Sequence, residues 1–174
     1  MDAPRPLDSG EQKALLNIAR STVEAYVRRG ERPEFDPAEE RLRDPSGVFV
    51  TLTKGGQLRG CIGTFEADRP MYVTVRDMAI QAATHDPRFP AVTEGELADL
   101  HVEVSVLSPR RAIEDPGAVE VGTHGLYITK GYNRGVLLPQ VASERGWSRE
   151  TFLEHVCLKA GLPSGAWQDP DALL

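Results

Sequence analysis

The sequence predicts an α+β fold: a mixed, largely antiparallel sheet packed by helices, with a smaller accessory lobe. Three observations carry that expectation. Two pairs of strand-like segments are joined by short glycine-containing turns, one clean alternating strand runs through Val102, and helical apolar stripes stand between and after them. No internal repeat or low-complexity segment interrupts the order. With 174 residues and 40% hydrophobic content the chain can bury a proper core, and its size suggests a single domain over residues 1–174 carrying a lobe.

Ser9 followed by Gln12 is a weak capping box that opens the first helix. Leu15, Ile18, Ala19, Thr22, Val23 and Tyr26 then make a helical stripe, which Gly30 ends. Residues 31–46 are charged and hold Pro33, Pro37 and Pro45, so they read as a surface loop. Val48, Val50 and Leu52 alternate into the turn Lys54-Gly55-Gly56-Gln57, and Leu58 starts the return arm of a hairpin. Pro70 is a good first helical residue for the stripe Met71, Val75, Met78, Ala79 and Ala82. That helix stops near His85, because Asp86 precedes Pro87.

Thr93 with Glu96 forms a second capping box ahead of the cleanest strand. In it Leu100, Val102, Val104 and Val106 fill one face while His101, Glu103, Ser105 and Leu107 line the other. Residues 108–125 are loop-rich around a short Val119/Val121 strand and are assigned to the smaller lobe. Leu126 to Lys130 and Arg134 to Leu138 flank Gly131-Tyr132-Asn133 as a second hairpin. Pro139 starts a short helix closed by Gly146. Ser148 caps the last one, whose Phe152, Leu153, Val156, Cys157 and Ala160 face inward before Gly161.

The formal net charge of −6 speaks against a nucleic-acid surface, which needs clustered cations to neutralise phosphates. The pairs Arg28-Arg29 and Arg110-Arg111 sit beside acidic residues and read as solvated surface. The first residues lack an apolar signal region, and no run approaches the roughly 18 apolar residues of a membrane span. A cytoplasmic protein is the expectation, and its two cysteines are then read as free thiols.

The stretch Leu58-Arg59-Gly60-Cys61-Ile62-Gly63 carries the chemistry. Strict alternation puts Arg59 and Cys61 on one face of the strand with Cβ atoms roughly 7 Å apart. A guanidinium there lowers the thiol's affinity for its proton and favours the thiolate. Gly60 and Gly63 remove bulk, which in a strand marks a bulge or the close approach of a ligand or another backbone. By residue statistics alone the same cysteine reads as a small buried hydrophobe.

Leu58-Arg59-Gly60-Cys61-Ile62-Gly63-Thr64 resembles the hallmark of the AMMECR-type domain, the family of AmmeMemoRadiSam system protein A. His85-Asp86-Pro87-Arg88-Phe89, Glu103 to Pro109, His124-Gly125-Leu126 running on to Gly135–Val141, and the helix from Phe152 to Gly161 are similar to further family landmarks, in the family's order. The resemblance implies an α+β fold with a mixed or antiparallel sheet and a smaller lobe. It also implies association with Memo-like and radical SAM proteins, which would carry metal and radical chemistry themselves. The family runs on into a last aromatic-containing strand, so the end at Leu174 reads as a shortened or trimmed terminus.

If the Cys61 strand and the Val104 strand share a sheet and turn their aliphatic residues to one helix layer, then Arg59, Cys61, His101, Glu103 and Ser105 share the opposite face. A solvated sheet face shows the same alternation without chemistry. Three histidines compete as general base for Cys61: His85 and His124 in loops, and His101 on the strand. His124 is selected because its segment resembles a family motif; His155, on the last helix between apolar neighbours, reads as structural or surface. Glu103 or Asp86 orients the histidine. Arg88 can clamp a carboxylate or phosphate, or Asp86 can simply turn the chain while Phe89 plugs the core.

No Cys-x-x-Cys, His-x-x-x-His or His-Glu-x-x-His is present, so no metal or cofactor is expected, and only a composite of Cys61, His101 and Glu103 would bind one. Two functions stand side by side. One is a thiol-centred catalytic or ligand-binding domain for an unknown small molecule, with Cys61 as nucleophile, Arg59 and the surrounding polar groups on the ligand, and His124 moving protons. The other is a non-catalytic module presenting this surface to Memo-like or radical SAM partners.

Overall fold

The computed structural model describes residues 5–174, which cluster into two compact units meeting in sequence at Pro109/Arg110. The fold is α+β with antiparallel sheets, as the alternation of signals predicts.

The first unit begins with helix α1 (Ser9–Arg29). Its capping box sits one residue earlier than the sequence suggests. The Asp8 carboxylate accepts from the Gly10 and Glu11 amides at 2.9 Å each, and Glu11 accepts in return from the Asp8 amide at 2.8 Å. A carboxylate at the N-cap also meets the positive end of the helix dipole, which a Ser9 hydroxyl would not. Within residues 31–46, a 3-10 turn over Glu40–Arg43 carries Leu42 into the core, fully buried.

Strands β1 (Val48–Lys54) and β2 (Gln57–Thr64) form the expected hairpin. Gly55 and Gly56 both take left-handed backbone angles, φ 58° and 77°, which a two-residue primed turn demands. Helix α2 (Met71–Thr84) follows, then a 3-10 turn over Glu94–Asp99 capped by the Thr93/Glu96 box, then strand β3 (Leu100–Val106). The sheet order is β2-β1-β3, antiparallel throughout. Val48, Val50 and Leu52 of the central strand are fully buried against Leu15, Val23, Met71, Val75 and Ala79 of the two helices.

The second unit is built on a hairpin of β4 (Leu126–Lys130) and β5 (Asn133–Leu137), with helices α3 (Pro139–Glu144) and α4 (Arg149–Lys159). Leu126 and Ile128 pack on Phe152, Leu153, Val156 and Cys157. Leu173 exchanges two 2.9 Å backbone bonds with Thr129, so the chain end lies along β4 as an isolated bridge. Val119 and Val121, read as a short strand, lie in no strand: they follow a 3-10 turn over Pro116–Ala118. Asp115 caps it, and the Val119 carbonyl accepts from Arg149 at 2.7 Å rather than from a strand. No helix among the described residues is long and apolar enough to cross a membrane.

Gly60 owes its identity to packing. A Cβ built there would stand 2.1 Å from the Ala82 carbonyl oxygen of α2, so the helix backbone lies directly on the strand. Gly60→Ala must push α2 away, and urea denaturation is expected to show a loss of about 2–3 kcal/mol.

Candidate functional site

The register of the sheet fixes which side chains meet. On the face turned away from α1 and α2, Thr51 pairs with Cys61 on one side and with Glu103 on the other, forming one row across three strands. The next row is Gly63, Phe49 and Ser105. Strand spacing puts Glu103 about 10 Å from Cys61, with Thr51 between them. His101 pairs with Thr53, two residues further along, and stands about 12 Å from Cys61. The structure thus brings Cys61, Glu103, Ser105 and His101 to one sheet face.

Cys61 is a free, half-buried thiol, and the Thr51 hydroxyl lies 3.2 Å from its sulfur. Its backbone points outward at the edge of the sheet, where Asp86 captures it. Asp86 Oδ2 accepts from the Cys61 amide at 2.8 Å, and Arg88 Nη2 reaches the Cys61 carbonyl at 3.4 Å. Asp86 also accepts from the Arg88 amide at 3.1 Å and from the guanidinium at 2.9 Å and 2.7 Å. Paired with Arg88 and with two backbone amides, the buried Asp86 carboxyl is held well below the usual carboxylate range despite its desolvation. The Asp86-Pro87-Arg88 loop is therefore a clamp that substitutes for a neighbouring strand.

Arg59 is placed differently from the alternation argument. Leu52 pairs with Gly60 but Thr53 pairs with Leu58, so Arg59 is the extra residue of a β-bulge and strict alternation stops there. Its guanidinium forks onto Glu96 at 3.0 Å and 3.0 Å and also donates to the carbonyls of Pro90 at 2.9 Å and Ala91 at 3.3 Å. Glu96 accepts as well from Lys54 and Thr93, and these partners hold its carboxyl well below the usual range. Arg59 thus fastens the hairpin to the turn before β3, and Arg88 is the guanidinium beside Cys61. Gly63 is likewise explained without a ligand: a Cβ there would fall 2.3 Å from the Phe49 ring.

His85 caps α2, its Nδ1 sharing a 2.6 Å contact with the Thr84 hydroxyl. His124 belongs to the second unit, where its Nδ1 accepts from the Glu120 amide at 3.1 Å. That bond leaves Nε2 as the protonated nitrogen of the neutral ring. His155 is structural: Nδ1 lies 2.9 Å from the Thr151 carbonyl, and the ring packs on Trp147. Cys157 is fully buried, and burial pushes its thiol up. Among the described residues no group of three or more His, Cys, Asp or Glu is placed to hold a metal ion, the Cys61, His101 and Glu103 composite included. Sequence reasoning missed Thr51 and the second role of Glu96. Thr51 was legible as the residue alternating with Val50 and Leu52.

Comparison with known proteins agrees with this architecture. The model of the AMMECR1 family matches residues 16–174. A protein of Methanothermobacter thermautotrophicus is 44% identical over 173 residues, covering 95% of this chain and 90% of its own. A protein of Thermococcus onnurineus is 46% identical over 170 residues, covering 90% of this chain and 82% of its own. The crystal structure of an uncharacterized protein from Pyrococcus horikoshii superposes with a TM-score of 0.85 at 40% identity, covering 93% of this chain and 85% of that one.

Replacing Asp86 by Asn removes the charge from the clamp and is expected to cost about 2 kcal/mol at neutral pH. The folded carboxyl titrates below the ordinary aspartate value of about 3.9, so its contribution is complete above that pH and is lost as the pH falls through the folded value. Urea denaturation of the two proteins should show their difference closing in acid.

Proposed function

We propose a thiol-centred small-ligand site as the working part of this chain, which belongs to the AMMECR1 family. The observation that supports it is the row Cys61, Thr51, Glu103: a half-buried sulfur 3.2 Å from a hydroxyl, in line with a carboxylate about 10 Å away. In this reading Cys61 is the nucleophile or covalent acceptor, and the Thr51 hydroxyl donates to the sulfur and orients it. Arg88 adds a positive charge beside the same strand. Glu103 addresses the far end of a small molecule lying across Thr51, with Ser105 in the neighbouring row. The clamp keeps the strand from shifting when the thiol reacts. We further assign the chain to a system that includes Memo-like and radical SAM proteins, on the motif resemblance.

A second reading, a non-catalytic interaction module for those partners, draws on one observation: Arg59, Asp86 and Arg88 are all engaged in intramolecular pairs.

Alkylation of the native protein separates the two. Iodoacetamide at neutral pH is expected to label Cys61 in the folded state and Cys157 only on unfolding, with Thr51→Val slowing the Cys61 reaction about fivefold. A Cys61 that stays inert until the protein unfolds removes the thiol reading and leaves the module. Co-purification with Memo-like or radical SAM partners that survives Cys61→Ser points the same way.

A further inference from the structure

The two edges of the first unit's sheet are finished differently. The β2 edge is closed at Cys61 by Asp86 and Arg88. On the other side, Leu107 donates to the Gly47 carbonyl at 2.9 Å, which makes Gly47 and Leu107 a hydrogen-bonded pair. Antiparallel alternation then turns the amides and carbonyls of His101, Glu103 and Ser105 inward to β1 and those of Val102, Val104 and Val106 outward. Arg20 closes the start of this edge, donating to the Leu97 and Leu100 carbonyls at 2.6 Å each. Beyond it, among the described residues, no strand pairs with the outer side of β3.

Bare edges are normally blunted by lysine, proline or a bulge. Between His101 and Val106 there is no lysine and no proline, and the register with β1 is unbroken. A groove of about 280 Å³ runs beside it, lined by Leu7, Leu15 and Leu16 with the three valines. Leu16 is 39% exposed there. Three outward amide and carbonyl sets at every second residue are the complement of an extended chain.

We propose that this edge takes up an extended segment of a partner protein as an added strand, with aliphatic residues on one face and lysine or arginine on the other. Residues of that segment facing the helix layer meet the valines, Leu7 and Leu16. The alternate ones fall beside the exposed Glu103, on a chain of net charge −6. Charge selects such a partner over a second copy. Antiparallel self-pairing centred on Val104 would set Glu103 diagonal to its own counterpart and bring together two chains of net charge −6. The surface shares Glu103 with the thiol row, but the backbone edge that takes up the strand does not depend on the chemistry of Cys61.

Amide hydrogen exchange by NMR tests this on the full chain, using as probe an acetylated heptapeptide of alternating valine and lysine. In the free protein the amides of Val102, Val104 and Val106 should exchange fast while those of His101, Glu103 and Ser105 are protected. Added peptide should slow the three outward amides at least about tenfold. Leu16→Lys, which blocks the groove from an exposed position, and Val104→Pro, which deletes one outward donor, should each weaken binding about tenfold. Outward amides unmoved by millimolar peptide overturn the proposal, as does equal binding of the valine–glutamate counterpart. So does a dimeric chain whose three outward amides are already slow, because a second copy then holds the edge.

Discussion

The first unit depends on one buried carboxylate. The Asp86 carboxylate accepts four hydrogen bonds from two stretches of chain, and through them the loop after α2 is bonded to the outer edge of the strand that carries Cys61. A buried carboxylate without those partners would be expensive to keep ionised. With them, it does in side-chain chemistry what a neighbouring strand would do in backbone chemistry. α2 must therefore end where it does, and the contact between the Gly60 backbone and the Ala82 carbonyl fixes the same helix from the other side.

From that anchor the rest of the site follows by register. Once β2 is held against β1, Thr51 has Cys61 on one side and Glu103 on the other. The bulge at Arg59 sends a long cation away from the sulfur and into Glu96, which ties the hairpin to the start of β3. Two ion pairs thus brace the sheet near its two edges. Among the described residues the sulfur has the Thr51 hydroxyl as its side-chain partner, which is why the proposed chemistry rests on the thiol and its strand and not on a histidine dyad.

Much of this was legible in the chain because it is local. The Gly55-Gly56 turn, the alternation from Leu100 to Val106, the Thr93/Glu96 box and the apolar stripe of α4 each encode their element within a few residues. The shared face of Cys61, Glu103, Ser105 and His101 was also readable, since it needs only parity and a common sheet. The partner of Arg59 was not. A bulge adds one residue without a sequence mark at that position, and Glu96 lies 37 residues away. Gly60 and Gly63 look like space for a ligand, yet their neighbours are the Ala82 carbonyl and the Phe49 ring, contacts set by tertiary packing. His124 is fixed by a bond to Glu120 that its own turn supplies, which no motif reveals.

Exchange of the Cys61 amide with solvent tests the central claim most directly. That amide sits on a sheet edge, where an unpaired N–H exchanges quickly, and here it should be among the slow ones and become fast in Asp86→Ala while the central-strand amides stay protected. A Cys61 amide that already exchanges fast in the unaltered protein, or one whose protection survives the loss of the Asp86 carboxylate, would contradict it.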